Sequence, residues 1–173
     1  MTGSGPFRLL LSARDPAAAH GIAALHRMWS ADTRFELQVV AQSPAWELLA
    51  GHGVAAIHVP GLRVTSPASS DVRALLSLAD EVLRDFRPDA LLTGLSGPHD
   101  CGIDEALQER CDSPRIVLQD FWGEQNRILG GHVELALVLD DLAAELTRAK
   151  HGTHSLVVGS PRQRNTPRWT WPH

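Results

Sequence analysis

Apolar and polar positions fall along this chain in short blocks that switch between a two-residue and a 3.6-residue period. Arg8–Ser12 predicts a first strand, and Asp15-Pro16 predicts the helix start after it, with Asp at the N-cap and Pro at the first helical position. Ile22, Leu25, Met28 and Trp29 then recur on one helical face. Phe35–Ala41 predicts a second strand. Ser43-Pro44 opens a second helix through Trp46, Leu48 and Leu49, closed by Gly51-His52-Gly53. Val54–Val59 predicts a third strand, ended by Pro60-Gly61.

A Ser/Pro loop spans residues 62–70, and Asp71 caps a longer helix whose apolar side carries Leu75, Ala79, Val82 and Phe86. Arg84 and Arg87 suit the negative end of that helix, and Pro88 stops it. Strands are predicted at Ala90–Thr93, Arg115–Leu118, Val133–Leu139 and Ser155–Val158, with helices at Ile103–Cys111 and Asp141–Lys150. Strands and helices therefore alternate, the pattern of βαβ units with a parallel sheet and right-handed crossovers. The expected fold is α/β: a Rossmann-like three-layer αβα sandwich with a mostly parallel seven-stranded sheet in the order 3-2-1-4-5-6-7. Residues 1–161 are read as one domain and 162–173 as a Pro/Arg/Trp-rich tail.

Composition narrows the function classes. At 173 residues the chain is long enough for one real core, and 43% apolar with 21% charged residues is ordinary for a globular domain. A net charge of −4 without a basic field argues against a nucleic-acid binder. The apolar runs are too short to span a membrane, and the N-terminal MTGSGPFRLLLSARD lacks the basic start and long apolar stretch of a signal peptide. A cytoplasmic protein is expected. Cys101 and Cys111 match no zinc or disulfide framework, so they are read as reduced thiols with no metal.

In an open parallel sheet, ligands bind beyond the carboxyl ends of the strands near the switch in strand order. Two loops there are unusual. TGLSGPHDCGIDE, after the fourth strand, places Ser96, His99, Asp100 and Cys101 among Gly94, Gly97 and Gly102. Asp104 and Glu105 are read as partners of the helix dipole. LQDFWGEQN, after the fifth strand, surrounds Phe121-Trp122 with Gln119, Asp120, Glu124, Gln125 and Asn126. An aromatic platform rimmed by amides and carboxylates suits a polyhydroxylated ring. The same loop also reads as an aromatic anchor with a solvated polar edge, and both readings stay open. A Cys101–His99 nucleophile pair and a metal site from His99, Asp100, Cys101 and His132 are weaker alternatives. No G-x-G-x-x-G follows the first strand, and no Walker or G-x-S-x-G motif is present, which disfavours dinucleotide, NTP and α/β-hydrolase chemistry.

Residues 134–161, ELALVLDDLAAELTRAKHGTHSLVVGSP, resemble the close of the N-terminal domain in GT-B glycosyltransferases and UDP-N-acetylglucosamine 2-epimerases. The resemblance covers roughly residues 6–161 and implies a stand-alone half of a two-domain nucleotide-sugar enzyme. The 2-epimerases begin the loop after the fifth strand with a His-Val-Glu-like motif; Gln119-Asp120-Phe121 stands there instead. In transferases resembling MurG, the first loop ends in a histidine ahead of an apolar run, as His20 does in SARDPAAAHGIAALHRM. That likeness implies His20 as a base, with Asp15 or Asp120 to orient it.

The expected function is binding of a small polar or glycosylated molecule, with acid–base chemistry from His20, His99 and Asp120 if it is catalytic. Ser96, Gly97, Trp122, Glu124 and Asn126 are the expected ligand contacts, with no cofactor. Two alternatives stand beside it: a non-catalytic acceptor-side subunit that needs a donor-domain partner or a second copy, and a small-molecule isomerase or lyase. In the tail, Trp169 and Trp171 leave both docking and disorder open.

Overall fold

The structure is a computed structural model that describes residues 5–163. The expected tail lies outside the described residues from position 164 onward. Seven parallel strands form the sheet: β1 (Phe7–Ala13), β2 (Phe35–Ala41), β3 (Ile57–His58), β4 (Ala90–Gly94), β5 (Arg115–Leu118), β6 (Leu135–Val138) and β7 (His154–Val157). Their order is β3-β2-β1-β4-β5-β6-β7, as the alternating pattern predicts. Five helices connect them: α1 (Pro16–Trp29), α2 (Ala45–Gly51), α3 (Val72–Phe86), α4 (Ile103–Arg110) and α5 (Asp141–His151). No helix among the described residues is long and apolar enough to cross a membrane.

Strand residues point alternately to the two faces, so each central strand feeds two cores. Leu9, Leu11, Val39 and Leu92 pack under α1 and α2, while Leu10, Val40 and Leu91 pack under α3 and α4. Val117, Ala136 and Val138 form a third cluster with Ala143 and Ala144 of α5. The two faces and the sheet give the expected three layers.

The largest boundary difference from the sequence reading is at β3, for a local reason. β3 shrinks from the expected Val54–Val59 to two residues. The Val54 N–H is taken by the Leu49 carbonyl at the end of α2 (3.0 Å), and only Ile57 and His58 pair with β2. Asp15 takes the N-cap position of α1 ahead of Pro16, as expected, but its side chain makes no capping hydrogen bond. Its Oδ2 accepts the N–H of Gly97 instead (3.1 Å), a long-range contact that no local rule reveals.

Small residues set how closely α1 lies over the sheet. A Cβ on Gly94 would sit 2.2 Å from the Ala18 Cβ, and one on Gly21 would sit 2.8 Å from Leu118 Cδ2. The first contact pins the start of α1 against the carboxyl end of β4. Gly94→Ala is therefore expected to lower stability by about 1–3 kcal/mol through overpacking. Gly97→Ala, where a Cβ meets nothing within 4 Å, is expected to stay within about 0.5 kcal/mol of wild type. Urea denaturation midpoints of the two variants check both expectations.

Candidate functional site

β1 ends in Ser12 and Ala13, and the side chain of Arg14, the next residue, turns inward, with 1% of its surface exposed. A guanidinium cannot shed its charge, so burial demands anionic partners. Arg14 Nε donates to Glu105 Oε2 (3.1 Å) and Nη1 to Asp100 Oδ1 (2.7 Å). Nη2 donates to the carbonyls of Asp100 (2.7 Å) and Gly97 (3.4 Å). Burial opposes the charge, but Glu105, Asp104 and Asp100 overcome it and hold the Arg14 pKa above its ordinary range.

The same centre holds the surrounding loops. Gln42, just past β2, donates to the carbonyls of Pro60 (2.7 Å) and Leu62 (3.1 Å) and accepts the Ile103 N–H at the start of α4 (3.0 Å). Gly102 fits between these side chains, because a Cβ there would lie 2.2 Å from Gln42 Oε1 and 2.8 Å from Arg14 Cδ. The Glu105 carboxylate accepts the Gly102 N–H (2.8 Å), so Glu105 closes the first turn of α4 from inside. Asn126 bonds the carbonyls of Gly97 (2.9 Å) and Asp100 (2.6 Å) and thereby ties the loop after β5 to the loop after β4. Gln119 reaches the Glu124 carbonyl (3.0 Å) and accepts from Thr147 of α5 (3.1 Å).

Between the two tied loops lies a cleft of about 360 Å³, with Asp15, Ser96, Gly97, Asp120, Phe121 and Glu124 in its walls. Asp120 also borders a neighbouring cavity of about 580 Å³ together with Trp122, Asp140 and Arg162. Burial raises the Asp120 carboxyl above the ordinary range; the nearby Asp15 charge adds to this and Arg162 opposes it. Phe121 is 59% exposed and stands edge-on to Trp122, with centroids 6.0 Å apart. The Trp122 indole N–H is held by both oxygens of Asp140 (3.0 and 2.9 Å), which fixes the platform. Glu124 pairs with Lys150 (2.6 Å). The arrangement offers a flat apolar wall, three carboxylates and a hydroxyl within one concave space.

Of the residues singled out in the sequence, Ser96, Gly97, Asp120 and Glu124 meet at this cleft, and Trp122 and Asn126 adjoin and brace it. His20 and His99 are not among the cleft-lining residues. The His20 Nδ1 lies 2.8 Å from His52 Nε2, and desolvation first, then the charges of Arg162 and His52, lower its pKa. His99 is exposed at the tip of its loop. Cys101 is fully buried, its thiol donates to the Val64 carbonyl (3.4 Å), and burial ahead of the Glu105 charge pushes its pKa up to about 12. That corrects the idea of a reactive Cys101–His99 pair. Asp104 and Glu105, read as partners of the helix dipole, do lie in the first turn of α4 and are buried there. Arg14, Ser12 and Gln42 were not foreseen. The available signal was an arginine directly after an apolar strand, with two adjacent acids opening a helix behind a glycine-rich loop.

The sequence matches no protein-family model, and no curated protein matches it. Solved structures do share the fold. The S. aureus MnaA–UDP co-structure aligns over 90% of this chain and 45% of its own, at 13% identity and a TM-score of 0.67. UDP-GlcNAc 2-epimerase from Neisseria meningitidis, bound to UDP-GlcNAc, aligns over 90% and 47%, at 14% identity and a TM-score of 0.64. UDP-N-acetylglucosamine 2-epimerase from Rickettsia bellii aligns over 90% and 45%, at 16% identity and a TM-score of 0.63. This chain thus spans about half the length of the proteins whose fold it shares, and its architecture is that of the 2-epimerase-like, GT-B-like α/β domains to which its sequence bears a resemblance.

Proposed function

We propose that this domain binds a small polar or glycosylated molecule in the cleft at the carboxyl ends of β1, β4 and β5. The observation that carries the reading is the convergence of Asp15, Ser96, Asp120 and the Phe121 face on one cavity of about 360 Å³. A sugar ring presents C–H groups to an aromatic wall and hydroxyls to carboxylates, and this cavity supplies both. The solved proteins of like fold carry UDP or UDP-GlcNAc in two cases, which supports a sugar-related ligand class. If the bound molecule is transformed, Asp120 is the acid–base group best placed for it, since its raised carboxyl lies nearer working pH than a free aspartate.

Arg14 is not the ligand's anchor. All three of its guanidinium nitrogens already bond protein groups, so the cation serves the scaffold. The rim is instead acidic, with Asp15, Asp120 and Glu124, which favours hydroxyl or amine donors over phosphate acceptors at this spot. A second reading, that the chain works as one half of an assembly, is favoured by exposed Leu142, Leu156, Val157 and Val158 on α5 and along and just past the edge strand β7.

Thermal-shift measurements with N-acetylglucosamine, UDP and UDP-N-acetylglucosamine test the first reading. A ligand held at about 100–1,000 times its Kd is expected to stabilise the fold by about 3–4 kcal/mol. Asp120→Asn and Phe121→Ala are expected to reduce that gain with little change in the unliganded midpoint; an unchanged gain in both places the ligand elsewhere. Arg14→Met is expected to cost about 3–5 kcal/mol, read from urea midpoints, because it leaves Glu105 buried without its cation. A variant as stable as wild type would contradict the scaffold role.

A further inference from the structure

Three carboxylates face one guanidinium at the end of β1. Arg14 bonds two of them, Glu105 and Asp100, and gives no hydrogen bond to the third. That third group, Asp104, is fully buried, and its partners are the hydroxyls of Ser12 and Ser96, the latter at 3.3 Å. The Arg14 charge favours the Asp104 anion from a distance, while the acidic Asp15 and Glu105 oppose it. A carboxylate held away from water with no cation in contact is costly, whereas a neutral carboxylic acid between two hydroxyls is fully satisfied. Glu105 has the opposite surroundings, with the Arg14 guanidinium and the Gly102 N–H on its oxygens, which suit an anion. Burial raises both carboxyls, and they lie side by side, so the pair retains a proton to higher pH than either would alone. The contacts decide which of the two keeps it.

We propose that Asp104 is a stored acid: it holds the proton of the Asp104–Glu105 pair as a neutral carboxyl, directly behind the Ser96 hydroxyl that lines the cleft. This rests on the cleft being the ligand site. With Asp104 neutral, its O–H donates to the Ser96 oxygen and Ser96 turns its own O–H toward the cleft. A ligand oxygen that gains charge takes the Ser96 proton while Ser96 takes that of Asp104. The ligand oxygen ends protonated, Ser96 is a hydroxyl again, and Asp104 becomes the carboxylate. Ser96 touches the ligand, and Asp104 acts through it. The sign of the pH effect follows: the contribution of neutral Asp104 to stability is complete below the ordinary aspartate pKa and is lost as pH rises through its higher folded value.

Carbon-13 NMR of protein labelled at the aspartate side-chain carboxyls tests this without any ligand. The Asp104 line is identified by its absence from Asp104→Asn, or from Asp104→Glu if the first variant fails to fold. The expected result is that this line remains in the protonated position at least about one pH unit above the ordinary aspartate range. Ser96→Ala is expected to move its midpoint further up, because the ionised form then loses a donor. An Asp104 line that ionises within the ordinary range overturns the stored acid, and a midpoint indifferent to Ser96→Ala overturns its coupling to the cleft. Failure of every sugar probe in the thermal-shift experiment leaves this titration intact, so the two readings fail separately.

Discussion

A guanidinium cannot be buried without anions, and Arg14 is buried at the point where the strand order of this sheet reverses. That requirement organises the carboxyl end of the domain. Glu105 and Asp100 come inward to meet the charge, bringing the start of α4 and the loop after β4 with them. The carbonyls of Gly97 and Asp100 fill the remaining donors, and Asn126 then fastens the loop after β5 to the same carbonyls. A well-packed apolar core of the same volume could be as stable. What the polar centre supplies is one fixed arrangement of three loops that are otherwise free to vary.

The cleft is a consequence of that arrangement. In the order β3-β2-β1-β4-β5-β6-β7 the chain winds outward in opposite directions from β1 and β4, which leaves a crevice above their ends. Asp15 stands after β1, Ser96 and Gly97 after β4, and Asp120 with Phe121 after β5. The close approach of Ala18 to Gly94 brings the start of α1 to the edge of the crevice, so Asp15 reaches the Gly97 N–H rather than capping its own helix. A cap is worth about 1 kcal/mol on average. Here the side chain joins the loop after β4 to the start of α1, and the geometry of the cleft depends on that link.

The fold was legible because its determinants are local and periodic. Apolar runs bounded by Asp-Pro, Gly-His-Gly and Arg-Pro marked strand and helix ends, and chirality fixed the crossovers. Phe35–Ala41 and Arg115–Leu118 coincide with the expected strands, and α3 ends one residue before the Arg87-Pro88 stop. The loops that line the candidate cleft stood out for the same reason, since glycine-rich and aromatic loops announce themselves. Its chemistry was not. Asp104 and Glu105 look like ordinary first-turn acids, and only the fold places Arg14, some ninety positions earlier, between them and the strand. The neighbour of His20 was equally hidden, since the packing of α1 against α2 sets its ring beside His52. Long-range pairing of charges leaves no period in a sequence.

The tied loops after β1, β4 and β5 are proposed to form one binding site. Amide NMR of the isotope-labelled chain, titrated in turn with N-acetylglucosamine and UDP-N-acetylglucosamine, tests it most directly. Saturable shifts concentrated at Gly97, Asp120, Phe121 and Glu124 are expected with at least one of the two. Saturable shifts confined to the β7 edge, or none at these four amides with either compound, would contradict it.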